Sequence, residues 1–252
     1  MKTKNFTLAA LLLVATLSSC SKDEDQSIQV GNQSPVVLNY KQTANIDAVS
    51  TQPISYNSEN EFHAKVSSSG EITAQHVGEA KINLTNGSDS KSIQVVVEPK
   101  FNLYKTPSIE WGATKSQIKA QYGKPDNETA NGVGYSNYSS SAPIVMFVFN
   151  SNDRLISSAV VVKTVYASTL ADFLIERYMP IDVNTSEYTA MFVNGLSTEK
   201  ITTAINLSVY NLSYLMVLYV DVRNAAKTKS PETKVSIDTY RGIAEEMLSS
   251  LK

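Results

Sequence analysis

The stretch "YNSENEFHAKVSSSGEITAQHVGEAKINLTNG", residues 56–87, decides how the first part of this chain folds. Its apolar residues fall on every second position: Phe62, Ala64 and Val66, then Ile72 and Ala74, then Ala80, Ile82 and Leu84. Such alternation gives each run one dry face, as in half-buried strands. Ser69-Gly70 and Asn86-Gly87 supply turns between the runs. Working outward, further strands are predicted at "VVLNY" (36–40), "TANIDAV" (43–49), "PISYN" (53–57) and "KSIQVVV" (91–97). Short strands at this spacing predict an all-β sandwich over residues 35–98.

The same stretch resembles the bacterial immunoglobulin-like domain, group 2. Val66 matches the core valine before the serine turn, Gly70 the tight-turn glycine, and Ile72 and Thr73 the strand that follows. Gly78, Ala80 and Ile82 match the closing glycine-alanine-isoleucine pattern, while Tyr56 stands where the family often has tryptophan. The resemblance implies a stalk or adhesion module, often non-catalytic.

Upstream, Lys2 and Lys4 precede "FTLAALLLVATL" (6–17), a mostly apolar run of twelve residues. That is well short of the roughly 20 needed to span hydrocarbon, and it reads as an export signal over residues 1–19. Leu17-Ser18-Ser19-Cys20 resembles the lipobox of bacterial lipoproteins, which implies that Cys20 carries lipid. Several acyl chains, at about 0.8 kcal/mol per buried methylene, would hold the chain on a membrane without a spanning helix. Residues 20–34 then form a tether. Its acids, Asp23-Glu24-Asp25 after Lys22, resemble the export tag of surface lipoproteins in gut anaerobes, and composition alone equally allows a plain solvated linker. The expected location is the bacterial outer membrane, facing the exterior.

Past the joint at Glu98-Pro99-Lys100 the pattern changes, and residues 101–252 predict an α+β domain. "WGATKSQIKAQYGKP" (111–125) reads as a helix with Thr114 as N-cap, Gln117 three positions on, and Gly123 and Pro125 ending it. Strands are predicted at 134–138, 143–150, 154–163, 187–194, 201–210 and 213–222, with helices near 169–179 and 236–251. The last helix would bury Tyr240, Ile243, Ala244, Met247, Leu248 and Leu251. An αβββ unit used twice is therefore expected, giving a six-stranded antiparallel sheet with three helices on one side. "IVMFVF" and "YLMVLYV" are apolar on both faces, so the other side of the sheet's middle also needs a cover: a fold-back, the first module or a partner. Gly112, Thr114, Gly123 and Pro125 resemble a helix of small envelope modules related to β-lactamase inhibitor proteins.

Little in the chain points to chemistry. A single cysteine excludes an internal disulfide and a thiolate-rich zinc site. Net charge is -2, or -4 once Lys2 and Lys4 leave with the signal, so no basic stripe faces nucleic acid. His63 and His76, the only histidines, both fall in the sandwich and read as surface residues, leaving the larger module without a His-dependent triad. Asp172 and Glu176, like Glu245 and Glu246, read as solvated helix charges. Asp89 in "NGSDS" has too few acidic neighbours for a dedicated calcium site. No catalytic residue, metal or cofactor is expected.

Binding is the remaining chemistry. Eleven of thirteen tyrosines and the sole tryptophan follow residue 100. Trp111, Tyr135 and Tyr138 are the candidate ligand-binding residues, since sugars stack on flat aromatic faces. The expected function is a non-catalytic, lipid-anchored surface protein in adhesion or in glycan or protein binding. Its partners would be the membrane, through Cys20, and a polysaccharide or surface protein, with no nucleic acid. An envelope structural or inhibitory protein is the alternative, and a carbohydrate-active enzyme the third reading.

Overall fold

Alternating burial along nine short strands builds the first module. The computed structural model describes residues 26–187 and 189–223. The predicted signal, Cys20, the acids at 23–25 and the helix at 236–251 lie outside the described residues.

The strands are β1 (Gln29–Val30), β2 (Val36–Asn39), β3 (Thr43–Asn45), β4 (Ala48–Val49), β5 (Ser55–Ser58), β6 (Ala64–Val66), β7 (Glu71–Ala74), β8 (Gly78–Thr85) and β9 (Ser90–Glu98). One layer runs β2-β9-β8-β5 and the other β3-β7-β6, with β1 and β4 paired beside them. Ile82, Leu84, Val95 and Ile72 meet between the layers, fully buried, in an immunoglobulin-like sandwich. Gly70 makes its turn at φ 84°, a left-handed backbone that favours glycine. The sandwich also starts earlier than expected. Ile28, assigned by sequence to the tether, is buried in this core, and its amide donates to the Asp89 carboxylate at 2.9 Å. That bond, more than the Lys91 ammonium at 3.3 Å, holds the Asp89 carboxyl below its ordinary range, so Asp89 anchors the entering chain.

The second module contains α1 (Lys115–Tyr122), β10 (Asn127–Glu128), β11 (Gly132–Ser136), β12 (Ile144–Phe149), β13 (Leu155–Lys163), α2 (Ala167–Ile175), β14 (Met179–Asn184), β15 (Thr189–Val193), β16 (Thr203–Asn211) and β17 (Tyr214–Asp221). A capping box joins Thr114 to Gln117 at the start of α1, and Gly123 ends it, as the sequence predicts. The strands form one antiparallel sheet in the order β10-β11-β12-β13-β17-β16-β15-β14.

The repeated unit is thus αββββ instead of αβββ, and the last strand of each half, β13 and β17, meet at the centre. The expected six strands become eight because β10 and β14 are edge strands without a dry face. Residues 179–184 begin at the predicted helix end, where no strand is expected; they are mostly exposed, and Pro180 is tolerated there because an edge strand spares its missing N–H. Helix α2 stops at Ile175.

One face of the sheet packs beneath both helices: Val133, Val145, Phe147, Val160 and Val217 meet Ile118 of α1 and Leu170, Phe173 and Leu174 of α2. Within this core the Tyr104 and Tyr219 hydroxyls bond to each other at 2.9 Å, which satisfies two buried polar groups at once. Among the described residues no helix is long and apolar enough to cross a membrane.

Candidate functional site

A backbone seam positions the best candidate surface. Gly112 N donates to Leu155 O at 3.0 Å and Leu155 N to Ala113 O at 2.8 Å, which stitches the segment before α1 to the start of β13. Trp111 is thereby held half-buried, and its indole Nε1 donates to Thr203 Oγ1 on β16 at 3.0 Å. Thr203 is itself fully buried, and its amide donates to Asn194 Oδ1 at 2.9 Å. The indole therefore has a fixed edge.

Its surroundings form an open cleft of about 580 Å³, lined by Trp111 with Glu110, Gln117, Arg154, Thr202 and Arg223. Asp221 orients Arg223 through a forked pair at 2.9 and 2.8 Å. Arg154 donates to Gly112 O at 3.3 Å. A flat aromatic group bordered by guanidinium, amide and carboxylate groups can stack on a sugar ring and bond its hydroxyls.

Tyr135 and Tyr138 sit elsewhere. Both rings pack on Tyr122, at 5.5 and 6.5 Å, and among the described residues no ring pair joins Trp111 to them. Tyr135 is only 6% exposed, and its hydroxyl donates to Gly123 O at 3.3 Å. The Tyr138 hydroxyl donates to Lys105 O. Burial pushes the Tyr135 phenol up to about 12 and raises that of Tyr138 as well. Of the three candidate ligand-binding residues, Trp111 thus lies in the cleft, whereas Tyr135 is buried and Tyr138 half-buried in a separate cluster on Tyr122. Both pack against apolar neighbours, and burying a ring gains more than leaving it in water.

No family model matches the chain, and no curated protein matches it. Solved structures do. A mutant of intimin from EHEC O157:H7 is 15% identical, covering 77% of this chain and 96% of that one at a TM-score of 0.24. Domains 4–9 of the surface layer protein SbsC are 13% identical, covering 77% of this chain and 26% of that one, at 0.27. Domains EC1-2 of human protocadherin-24 are 10% identical, covering 75% of this chain and 95% of that one, at 0.24. At such TM-scores the likeness carries no argument, and the sandwich is identified by its own strand pairing.

A second constellation was not foreseen from sequence. Glu176, read there as a solvated acid, is 1% exposed at the end of α2. Its carboxylate accepts from the amides of Lys100 and Phe101, both at 3.0 Å, and from Arg177 Nη1 at 2.5 Å. Arg177 lies over the Phe173 ring at 3.8 Å and donates to Phe101 O at 3.0 Å. From the sandwich, Val77 N donates to the Glu176 carbonyl at 2.7 Å, and His76 Nδ1 bonds Ile175 O at 3.2 Å. Glu176 thus clamps the two modules together. Asp172, one turn earlier, is exposed. Among the described residues no group of three or more His, Cys, Asp or Glu side chains converges.

The histidines belong to this joint, contrary to the surface positions expected. His76 is buried and stacks on Phe62 with centroids 4.5 Å apart. His63 bonds the His76 carbonyl at 3.2 Å and fills the space over Gly78, where a Cβ would meet its ring at 2.3 Å. The signal available in sequence was Gly78 itself, whose φ of 143° few other residues adopt.

Burial lowers the pKa of both imidazoles below the ordinary 6.5, against the raising effect of their backbone bonds. The unfolded chain then binds more protons than the folded one between the lowered values and about 6.5. Stability from these groups is complete above that window and declines as pH falls through it. Thermal midpoints should therefore drop as the pH falls below about 6.5. The part of that slope due to these rings should vanish in a His63→Gln/His76→Gln variant.

Proposed function

We propose that this chain is a non-catalytic, lipid-anchored protein of the bacterial outer surface. The immunoglobulin-like module holds the α+β module off the membrane, and the Trp111 cleft captures a glycan. The observation that carries the binding part is the fixed indole edge of Trp111 beside Arg154, Glu110 and Gln117 in an open cleft. The surface assignment is supported by the lipobox at Leu17-Ser18-Ser19-Cys20 and by a sandwich of a kind used in stalks.

Because Trp111 is the sole tryptophan, its fluorescence reports this cleft alone. Titration with neutral and acidic bacterial and host glycans should shift the emission, with a Kd at or below about 1 mM. Arg154→Ala and Trp111→Ala should each weaken binding at least about tenfold by calorimetry, or 1.4 kcal/mol. A flat response to every glycan at millimolar concentration would sink the glycan reading. A co-purifying protein lost on substituting Ile181 and Val183, 53% and 58% exposed on edge strand β14, would transfer the function to protein capture.

A further inference from the structure

Two arginines line the Trp111 cleft, and the described residues supply a carboxylate to only one of them. Arg223 pairs with Asp221 at 2.8 Å, as Arg177 does with Glu176 at 2.5 Å elsewhere in the module. Arg154 joins no ion pair among the described residues, its neighbour Asp153 included. Its one hydrogen bond there, from Nη1 to the Gly112 carbonyl at 3.3 Å, is long and uses one of the guanidinium's five donors. The group keeps its charge at any working pH and stands exposed in the cleft wall.

The backbone behind it is fixed. Arg154 N donates to Asn150 Oδ1 at 3.0 Å, Asn150 N donates to Arg154 O at 2.9 Å, and a bridge pairs Arg154 with Thr114 at the start of α1. The side chain therefore springs from a rigid point in the same cleft as an indole whose edge Thr203 holds. Glu110 lines the cleft as well, is exposed, and joins no ion pair among the described residues. Two charges of opposite sign thus share one cleft without meeting.

These charges narrow the ligand class. A neutral sugar would exchange guanidinium–water hydrogen bonds for guanidinium–hydroxyl bonds and gain little at Arg154. A carboxylate gains more, because the guanidinium fork meets it with parallel charge-assisted bonds where the indole has displaced part of the water. Glu110 repels that anion, yet its oxygens accept from sugar hydroxyls. It also disfavours a densely sulfated chain, so one acid per ring suits the cleft best.

We propose that the Trp111 cleft selects acidic sugars: a ring that stacks on the indole, with its carboxylate on Arg154 and its hydroxyls donating to Glu110. This names the ligand class within the glycan reading above and rests on that reading. Uronic acids of polysaccharides and sialic acids of glycoproteins share this chemistry.

The test titrates the full-length chain with matched pairs, by Trp111 fluorescence and calorimetry. Oligogalacturonic acid against its methyl ester represents the polysaccharide source, and sialyllactose against lactose the glycoprotein source. In at least one pair the acid should bind at least about tenfold more tightly than its neutral partner, the factor that one bond to a charged group supplies. Arg154→Gln should erase that difference and still melt near the parent temperature, since the side chain it replaces makes a single long bond among the described residues. Equal binding of acid and neutral partner would overturn the inference and leave glycan capture standing. Silence from every sugar would remove the glycan reading and this inference with it. A preference that survives Arg154→Gln would overturn the role of Arg154. Acetate displacing the acid at equal concentration would reveal a bare anion site and overturn the sugar class.

Discussion

Replacing Glu176 by alanine should cost this protein about 3–5 kcal/mol, the loss seen when one partner of a buried ion pair is removed. Its carboxylate, 1% exposed, serves two backbone amides and a guanidinium. Alanine leaves the Lys100 and Phe101 amides without their carboxylate acceptor and the Arg177 guanidinium without its counter-charge, with only the Phe101 and Phe173 carbonyls left to accept from it. Glu176→Gln keeps one acceptor oxygen and the side-chain volume, so its loss should be smaller. Calorimetric unfolding would read the difference, and trypsin should cut faster at Lys100 in the alanine variant. Equal midpoints for all three proteins would show that the clamp contributes nothing.

Phe173→Ala should be as damaging. The ring is fully buried, 4.5 Å from the Tyr104 ring and 3.8 Å from the Arg177 guanidinium, so its removal opens a cavity and strips Arg177 of its stacking surface. Large-to-small changes of this kind cost about 3–5 kcal/mol. For a module of this size that lowers the melting temperature by roughly 10 °C or more. Phe173→Leu retains most of the volume and should recover over half of the loss. Urea unfolding of the three forms checks this, and a midpoint in Phe173→Ala within error of the parent would contradict the packing described.

How far the sequence could be read depends on whether the cause is local. The Thr114–Gln117 capping box and the alternating strands β7, β8 and β9 are set by neighbours a few residues apart, and they were legible. Edge strands β10 and β14 were not, because backbone pairing holds them and no dry face marks them. Counting them turns the suspected three-stranded repeat into a four-stranded one. The joint was illegible for another reason. His76 and Ile175 meet across 99 residues, and no periodicity encodes that contact. Trp111 could be named as a residue type, but its cleft depends on Arg154 and Arg223, brought from two other parts of the chain.

Past Ile28 and the short pair of β1 with β4, strand β2 lies beside β9, the last strand of the sandwich, and the two run parallel, Val36 with Val95 through Asn39 with Glu98. A force pulling the N-terminus one way and the second module the other loads these bonds along the strands, in shear. They must then fail together instead of opening one at a time, so a stalk wired this way resists tension from flow or from a captured particle better than its modest ladder implies.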